Sequence, residues 1–154
     1  MKNKRGFRER VYECVATFFY AGFLPKAPGT WGSLAALPFI VFLRDQSLYA
    51  STLLVLFLAG RVAADRYARQ RGESDPGCIV IDEVVGMFIT LWFVPFSWIT
   101  LIAGFLFFRL FDITKPFFIK RVERYAHGWG IMFDDMIAGV YANLVLQVII
   151  FCFR

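Results

Sequence analysis

The sequence is poor in histidine and cysteine, with one of the former and three of the latter among 154 residues. His127 alone, together with cysteines that lack C-x-x-C spacing, leaves no set of soft ligands for zinc or iron. No cysteine is followed six positions later by arginine, and no D-x-D-x-T/V run occurs, so two phosphatase signatures are absent. We expect three buried, reduced thiols in a protein that faces the cytosol.

Charged residues are also scarce, at 19% of the chain, whereas a soluble domain has about a quarter. Hydrophobic residues make up 58% and aromatic residues 19%, which indicates a membrane protein. The net charge is +5, and the basic residues lie beside apolar segments. Anionic lipid is therefore the expected partner and nucleic acid is not. The basic start leads into an apolar stretch at 14–24 without a small-x-small cleavage site, so we expect no signal peptide.

Five apolar stretches follow, at 34–43, 48–60, 84–96, 98–108 and 136–153. Only the last approaches the roughly 20 residues of a spanning helix. All are too long for strands and lack alternation, which favours helices. The predicted fold is therefore all-α: one compact, membrane-embedded bundle of short hydrophobic helices over 1–154, with a basic N-terminal arm at 1–13. The pattern carries no signal for an oligomeric state.

The connections predict which helix ends share a side. Pro95 and Ser97 bound a tight break, so the helices on either side of it form a hairpin whose open ends lie together. The final helix begins on that same side, and the short turn 44–46 lies opposite. Nearly all of the 17 lysines and arginines flank the first side, which is typical of the cytoplasmic face of a multi-pass inner-membrane protein.

Three acidic clusters fall on this predicted face: Asp82 with Glu83, Asp112, and Asp134 with Asp135. Each alone is compatible with a helix cap, because carboxylates suit the first turn of a helix. Three clusters on one face favour a cation site instead. Since all the ligands are oxygen atoms, the predicted ion is Mg²⁺, bound together with water and a substrate phosphate.

Two glycines accompany these acids, since Gly86 lies four residues after Asp82 and Gly139 four residues after Asp135. A glycine one turn along the same face leaves room for another helix or for a phosphate to come close.

The segment around Asp112 adds cations to the predicted site. Arg109, Asp112 and Lys115 are spaced i, i+3, i+6, so they fan over one flank of a helix that Pro116 ends. One interpretation is a structural ladder of salt bridges. In the other interpretation, the Asp112 carboxylate ligates a metal while Arg109 and Lys115 bind a phosphate. The neighbouring acidic residues favour this second interpretation.

Two small-residue segments are predicted as turns. The run PGTWGS at 28–33 offers amide N–H groups and the hydroxyls of Thr30 and Ser33 to a phosphate at a helix start, although either hydroxyl also suits a cap. Gly128, Trp129 and Gly130 are expected to form a flexible turn that positions the acids after them.

Four segments in this order resemble the bacterial phosphatidylglycerophosphatase A family: PGTWGSL at 28–34, IVIDEVVGM at 79–87, FRLFDITKP at 108–116 and GWGIMFDD at 128–135. His127 departs from the family pattern, where a glycine is usual, and we treat it as a loop residue. The resemblance implies a compact helical fold and a magnesium-dependent enzyme. Such an enzyme removes the terminal phosphate of phosphatidylglycerophosphate in the cytoplasmic leaflet, giving phosphatidylglycerol in phospholipid biosynthesis.

We therefore predict roles for the charged residues. Metal binding is assigned to Asp82, Glu83, Asp112, Asp134 and Asp135. Phosphate contacts are assigned to Arg109 and Lys115, with Thr30 and Ser33. The catalytic set is Asp82, Glu83, Asp112, Lys115, Asp134 and Asp135, and either water or an aspartate attacks.

Two rival functions remain at this stage. A phosphotransferase or phosphatidyltransferase needs similar residues, but the D-G-x-x-A-R run of such enzymes is absent. A small divalent-cation transporter would also use acidic rings, but along a pore instead of at one face.

Overall fold

The computed structural model describes residues 6–115 and 128–153, and within these it contains six α-helices and no strand. The prediction of an all-α fold is thus confirmed. The helices are α1 Phe7–Ala16, α2 Pro28–Phe42, α3 Gln46–Arg71, α4 Ile81–Leu91, α5 Trp98–Thr114 and α6 Gly128–Cys152, with a short 3₁₀ helix at Ala21–Phe23.

Local capping explains where several helices begin and end. The Asp45 carboxylate accepts a hydrogen bond from the Leu48 N–H (2.8 Å) and starts α3, which ends at Gly72 in the left-handed region (φ 68°). The Ser97 hydroxyl accepts from the Thr100 N–H (3.0 Å) and starts α5. The second of these caps starts the second helix of the predicted hairpin, and α4 and α5 pack against each other.

The short helix α4 is the centre of the bundle, because nine of its eleven residues are buried. Met87, Phe88 and Val84 are enclosed by α2, α3, α5 and α6. A helix that is apolar on all sides is stable only when it is surrounded in this way. Consequently, any polar group at the start of α4 is held in a rigid, water-poor setting.

Helices α4 and α6 cross at glycines. A Cβ on Gly139 would lie 2.5 Å from the Gly86 carbonyl oxygen, and a Cβ on Gly86 would lie 2.9 Å from the Asp135 carbonyl oxygen. Of the two interpretations of these glycines, close helix packing is therefore the one observed. Since Gly86 and Gly139 each lie one turn after an acidic pair, the crossing brings the two pairs side by side.

Contacts at both ends of the bundle give the helix directions. The Tyr49 hydroxyl donates to the Phe88 carbonyl (2.7 Å), and Gly60 packs on Ile81, so α3 and α4 are antiparallel. The Arg44 guanidinium lies 4.0 Å above the Phe96 ring, which places the 44–46 turn beside the 95–97 turn. These two turns lie at the end away from the acids, as predicted.

Two helical segments, Gln46–Arg71 and Met132–Cys152, are long and apolar enough to cross a bilayer. Only 22% and 28% of their most apolar windows are buried inside the protein. Large side chains such as Leu54, Val55, Leu144 and Val148 are exposed on them. An apolar surface of this extent indicates membrane association.

Several predicted boundaries are wrong. The segment 28–33 forms the first turns of α2 instead of a turn before it, with Pro28 at the first helical position. Gly128 likewise begins α6 instead of a flexible turn. The stretch predicted to continue to 96 ends as a helix at Leu91, since Phe93 is left-handed (φ 57°). The predicted burial of the three cysteines is also wrong, since Cys14 and Cys78 are half-buried and Cys152 is exposed, although all three are free.

Candidate active site

Three carboxyl groups meet where α4 and α6 come together. Asp82 and Glu83 belong to the first turn of α4, and Asp135 comes from α6, one turn before the glycine crossing. One oxygen of each lies within 4.8 Å of the others. Asp82 is 9% exposed and Asp135 is 4% exposed. We call these three residues the acidic triad.

The capping interpretation does not account for the acidic pair of α4. The N-cap of α4 is Val80, and no side chain caps that end. Within the described residues, Oδ1 of Asp82 and Oε2 of Glu83 are buried and accept no hydrogen bond. Buried carboxylate oxygens without a partner are costly, so this geometry calls for a cation. An all-oxygen donor set fits a hard divalent ion such as Mg²⁺ or Ca²⁺.

The electrostatics of α4 lead to the same conclusion. Burial, together with the charges of Glu83 and Asp135, holds the pKa of Asp82 well above its ordinary value. Burial also raises the pKa of Glu83 from 4.5 to about 7, partly opposed by a hydrogen bond with Asp82 and by the positive charge of Arg109. Without a cation, Asp82 is expected to retain its proton at neutral pH, and Glu83 to be only partly ionised there.

Two ion pairs flank the triad. The Arg109 guanidinium donates to the Asp112 carboxylate (2.5 Å), and the Lys115 ammonium donates to the Asp134 carboxylate (2.9 Å). The predicted ladder of Arg109, Asp112 and Lys115 on one helix flank is wrong for Lys115. Helix α5 ends at Thr114, and Lys115 is left-handed (φ 43°), so its side chain crosses to α6.

The first turn of α2 closes the site on the side of Glu83. A Cβ on Gly29 would collide with Oε1 of Glu83 and would lie 3.1 Å from Nη1 of Arg109. Glycine is therefore required there by close approach. Its neighbour Thr30 is half-buried in the same turn, whereas the buried Ser33 hydroxyl donates to the Gly29 carbonyl (2.8 Å). This bond weighs against a contact between Ser33 and a phosphate, which stays a prediction.

The structure thus sorts the five predicted metal ligands into two kinds. Asp82, Glu83 and Asp135 form the triad, while Asp112 and Asp134 are paired with cations at its edge. Asp112 is nonetheless close enough to raise the pKa of Glu83. His127 and Pro116 lie outside the described residues.

Sequence reasoning missed Arg61. It follows Gly60, which packs on Ile81 at the start of α4, and its guanidinium stacks 3.9 Å over the Trp129 ring. Its buried Nε has no hydrogen-bond partner within the described residues. The available signal was an arginine directly after the apolar stretch 48–60.

Comparison with known proteins identifies the family of this chain. A profile of the phosphatidylglycerophosphatase A family matches residues 14–150. The phosphatidylglycerophosphatase A of Escherichia coli (strain K12) is 40% identical over 143 residues, which cover 90% of this chain and 83% of that protein. The enzyme of the same name from Haemophilus influenzae (strain Rd) is 39% identical over 140 residues, 88% of this chain and 86% of that protein.

A third relative, from Bacteroides thetaiotaomicron, carries the provisional name phosphatidylinositol-3-phosphatase and is 40% identical over 149 residues, 87% of this chain and 90% of that protein. No solved structure matches the chain significantly. The profile spans most of the chain and includes all of the triad and both flanking ion pairs. By this match and by its identity to two named enzymes, the chain belongs to the phosphatidylglycerophosphatase A family.

Proposed function

We propose that the protein is a Mg²⁺-dependent phosphatase that hydrolyses phosphatidylglycerophosphate to phosphatidylglycerol and phosphate. One observation carries the proposal: in a chain of this family, three carboxyl groups, from two buried residues and one half-buried residue, lie within 4.8 Å of one another, flanked by an arginine and a lysine. This arrangement suits a divalent ion beside a phosphate, because the acids face the cation and the bases face the anion.

The triad residues Asp82, Glu83 and Asp135 would hold the ion, with Asp112 and Asp134 as further ligands once their cationic partners turn to substrate. Magnesium, when bound, supplies charge that neutralises phosphate oxygens and activates water. The unpartnered oxygens of Asp82 and Glu83 support this assignment, because they are buried acceptors that require a positive partner.

Arg109 and Lys115 would bind the oxygens of the terminal phosphate. Both are paired with carboxylates in the substrate-free protein, so they are already oriented, and an incoming phosphate exchanges one anionic partner for another. Arg109 also keeps a buried Nε without a partner in the described structure, which leaves a donor for substrate. The first turn of α2, with Thr30, would border the same phosphate.

The reaction breaks the bond between phosphorus and the glycerol oxygen and forms one to the attacking oxygen. With water as nucleophile, a carboxylate takes its proton and the glycerol oxygen leaves protonated. With an aspartate as nucleophile, an acyl phosphate forms first and water then hydrolyses it. Incorporation of ¹⁸O from water in a single turnover, without a trapped phosphoenzyme, supports direct attack by water; a trapped phosphoenzyme supports the aspartate.

We also propose that the protein spans the inner membrane several times with this site at the cytoplasmic surface. The triad lies at the bundle end away from the 44–46 and 95–97 turns, and most lysines and arginines belong to segments on its side. Protease cleavage of a tag fused after residue 154 in inverted and right-side-out vesicles tests the orientation of α6.

The decisive experiment measures phosphate release by the purified protein in mixed micelles. We expect release from phosphatidylglycerophosphate with Mg²⁺ and none with excess EDTA. Phosphatidylinositol 3-phosphate is the second substrate to compare, because the name of one relative points to it. Asp135→Asn should abolish release, and Arg44→Ala, at the far end of the bundle, should not change it. Equal release with and without Mg²⁺ would contradict the proposal.

The same assay addresses the rival functions. Free phosphate released without an alcohol acceptor argues against a transferase, which would need that acceptor. A transporter would move Mg²⁺ across vesicles whether or not a phosphate ester is present. The acids gathering at one end of the described helices already disfavour it.

A further inference from the structure

A long apolar groove opens beside the acidic triad, between α3, α4 and α6. Its volume is about 510 Å³, within the range of small-molecule sites. Leu54 and Phe57 of α3 form one wall, and Val140 and Leu144 of α6 form the other. Leu54, Val140 and Leu144 are 56%, 45% and 56% exposed, so the groove opens sideways and not toward the bundle core.

One end of the groove is formed by close sequence neighbours of the acidic triad, although no triad residue lines it. Val85 lies two residues after Glu83, Met136 directly follows Asp135, and both line the groove. Since α4 and α6 both run away from the triad, the groove follows them from the acids toward the far end of the bundle. A smaller cavity of about 240 Å³ lies at that far end beside Arg44 and touches no acidic residue.

Two amide side chains at the far end of the groove are hydrogen-bonded to the protein. The Asn143 amide donates to the carbonyls of Thr90 (3.0 Å) and Trp92 (2.8 Å), and the Gln147 amide donates to the Phe93 carbonyl (3.3 Å). These side chains hold the last carbonyls of α4 and its exit, which would otherwise face an apolar groove. The groove is therefore mostly apolar, although the buried Nε1 of Trp92, which also lines it, has no hydrogen-bond partner within the described residues.

We infer that this groove binds one acyl chain of the lipid substrate, with the headgroup at the triad; the inference rests on the proposed phosphatase function. From Met136 to Gln147 the groove runs about 16 Å at the rise of an α-helix. Half of a bilayer's hydrocarbon core is about 15 Å. A chain seated there would reach from the membrane surface, where the phosphate lies, to the bilayer centre.

The length of the groove favours an acyl chain over a helix from a second copy. The groove runs about 16 Å, which is the depth of one leaflet, whereas a helix that crosses the bilayer needs a surface about 30 Å long. The walls also belong to the two helices whose apolar windows are mostly uncovered by protein. Exposed apolar side chains of this kind are stable in contact with lipid, and an acyl chain is an apolar ligand that can lie between the two helices.

Val140→Phe tests the inference by filling the groove, and Val148→Phe is the matched control on an exposed part of α6 that does not line it. The substrates are dioleoyl and dihexanoyl phosphatidylglycerophosphate in mixed micelles. We expect Val140→Phe to lower kcat/KM for the dioleoyl lipid by roughly tenfold or more through KM, since apolar pockets discriminate on this scale. The dihexanoyl lipid and the Val148→Phe variant should keep wild-type values.

A second variant, Leu54→Phe on the opposite wall, guards against local misfolding and should give the same chain-selective loss. A lipid with a diazirine near the end of its acyl chain should label peptides containing Phe93 or Gln147 in the wild type but not in Val140→Phe. Equal effects on both lipids in both variants, or unchanged labelling, would contradict acyl-chain binding in the groove but not the phosphatase function. Labelling that Val140→Phe abolishes, without any phosphate release, would contradict the proposed function but not acyl-chain binding.

Discussion

A substitution at the crossing of α4 and α6 should lower activity indirectly, because the crossing positions the acidic triad without contacting the substrate. In Gly139→Ala the new Cβ would lie 2.5 Å from the Gly86 carbonyl oxygen, against an ordinary contact of 3.4 Å or more. A backbone carbonyl cannot rotate away, so α6 must move from α4 by about 1 Å. Asp135, one turn earlier on α6, moves with it relative to Asp82 and Glu83.

The expected loss follows from that displacement. A misplacement of about 1 Å in a catalytic constellation costs on the order of 100-fold in rate, or roughly 3 kcal/mol of barrier. Overpacking costs about 1–3 kcal/mol of stability, and alanine returns about 1 kcal/mol over glycine within a helix. The variant should therefore remain folded, bind Mg²⁺ more weakly and lose most of its turnover.

The assay is phosphate release as a function of Mg²⁺ concentration, with thermal unfolding measured alongside. Gly104→Ala is the matched control, because its Cβ would meet the flexible end of the Leu91 side chain (2.7 Å) far from the acids. We expect the control to keep nearly full activity. Wild-type turnover and Mg²⁺ dependence in Gly139→Ala would refute the reasoning.

Three further predictions concern the site and its support. Asp82→Asn should raise the melting temperature at neutral pH without Mg²⁺, because the buried Asp82 carboxyl must take up a proton on folding whereas asparagine is already neutral, and should abolish turnover; a lower melting temperature would contradict this. The metal-free protein should lose on the order of 3 kcal/mol of stability as pH rises from about 4.5 to about 7, since the folded state binds the Glu83 proton more tightly than the unfolded state. Glu83→Gln should flatten this pH dependence in denaturant unfolding, and an unchanged slope would exclude Glu83 as its source. Asn143→Leu should cost about 1–3 kcal/mol by leaving the Thr90 and Trp92 carbonyls unpaired, while Gln147→Leu, which loses one longer bond, should cost less in the same unfolding measurement.

The gathering of acids at one end could be predicted from the sequence because it depends on connections. A break at Pro95 reverses the chain whatever the details of packing, so the start of α4 and the end of α5 fall at the same end of the bundle, where α6 also starts. The family resemblance in four segments was likewise readable from the sequence, and the profile match over 14–150 confirms it.

The local structure of the glycine-rich segments could not be predicted in this way. Glycines in 28–33 suggest a turn, but Gly29 and Gly32 are small because Glu83 and Val80 approach them across the bundle. A single sequence carries no signal that separates a glycine needed for a turn from one needed for close packing.

The division of the acids into a triad and two ion pairs is also tertiary in origin. Helical spacing predicted Lys115 beside Asp112, yet the left-handed backbone at Lys115 turns its side chain to Asp134 on α6. The apolar groove is tertiary for the same reason, since its walls come from helices far apart in the chain.

The central claim is that Asp82, Glu83 and Asp135 jointly bind a divalent cation. Titration calorimetry of Mg²⁺ into the purified, substrate-free protein, compared with Asp82→Asn, Asp135→Asn and the distant Arg44→Ala, tests it most directly. We predict saturable binding that both Asn variants lose and Arg44→Ala keeps. Wild-type affinity in the two Asn variants would contradict it.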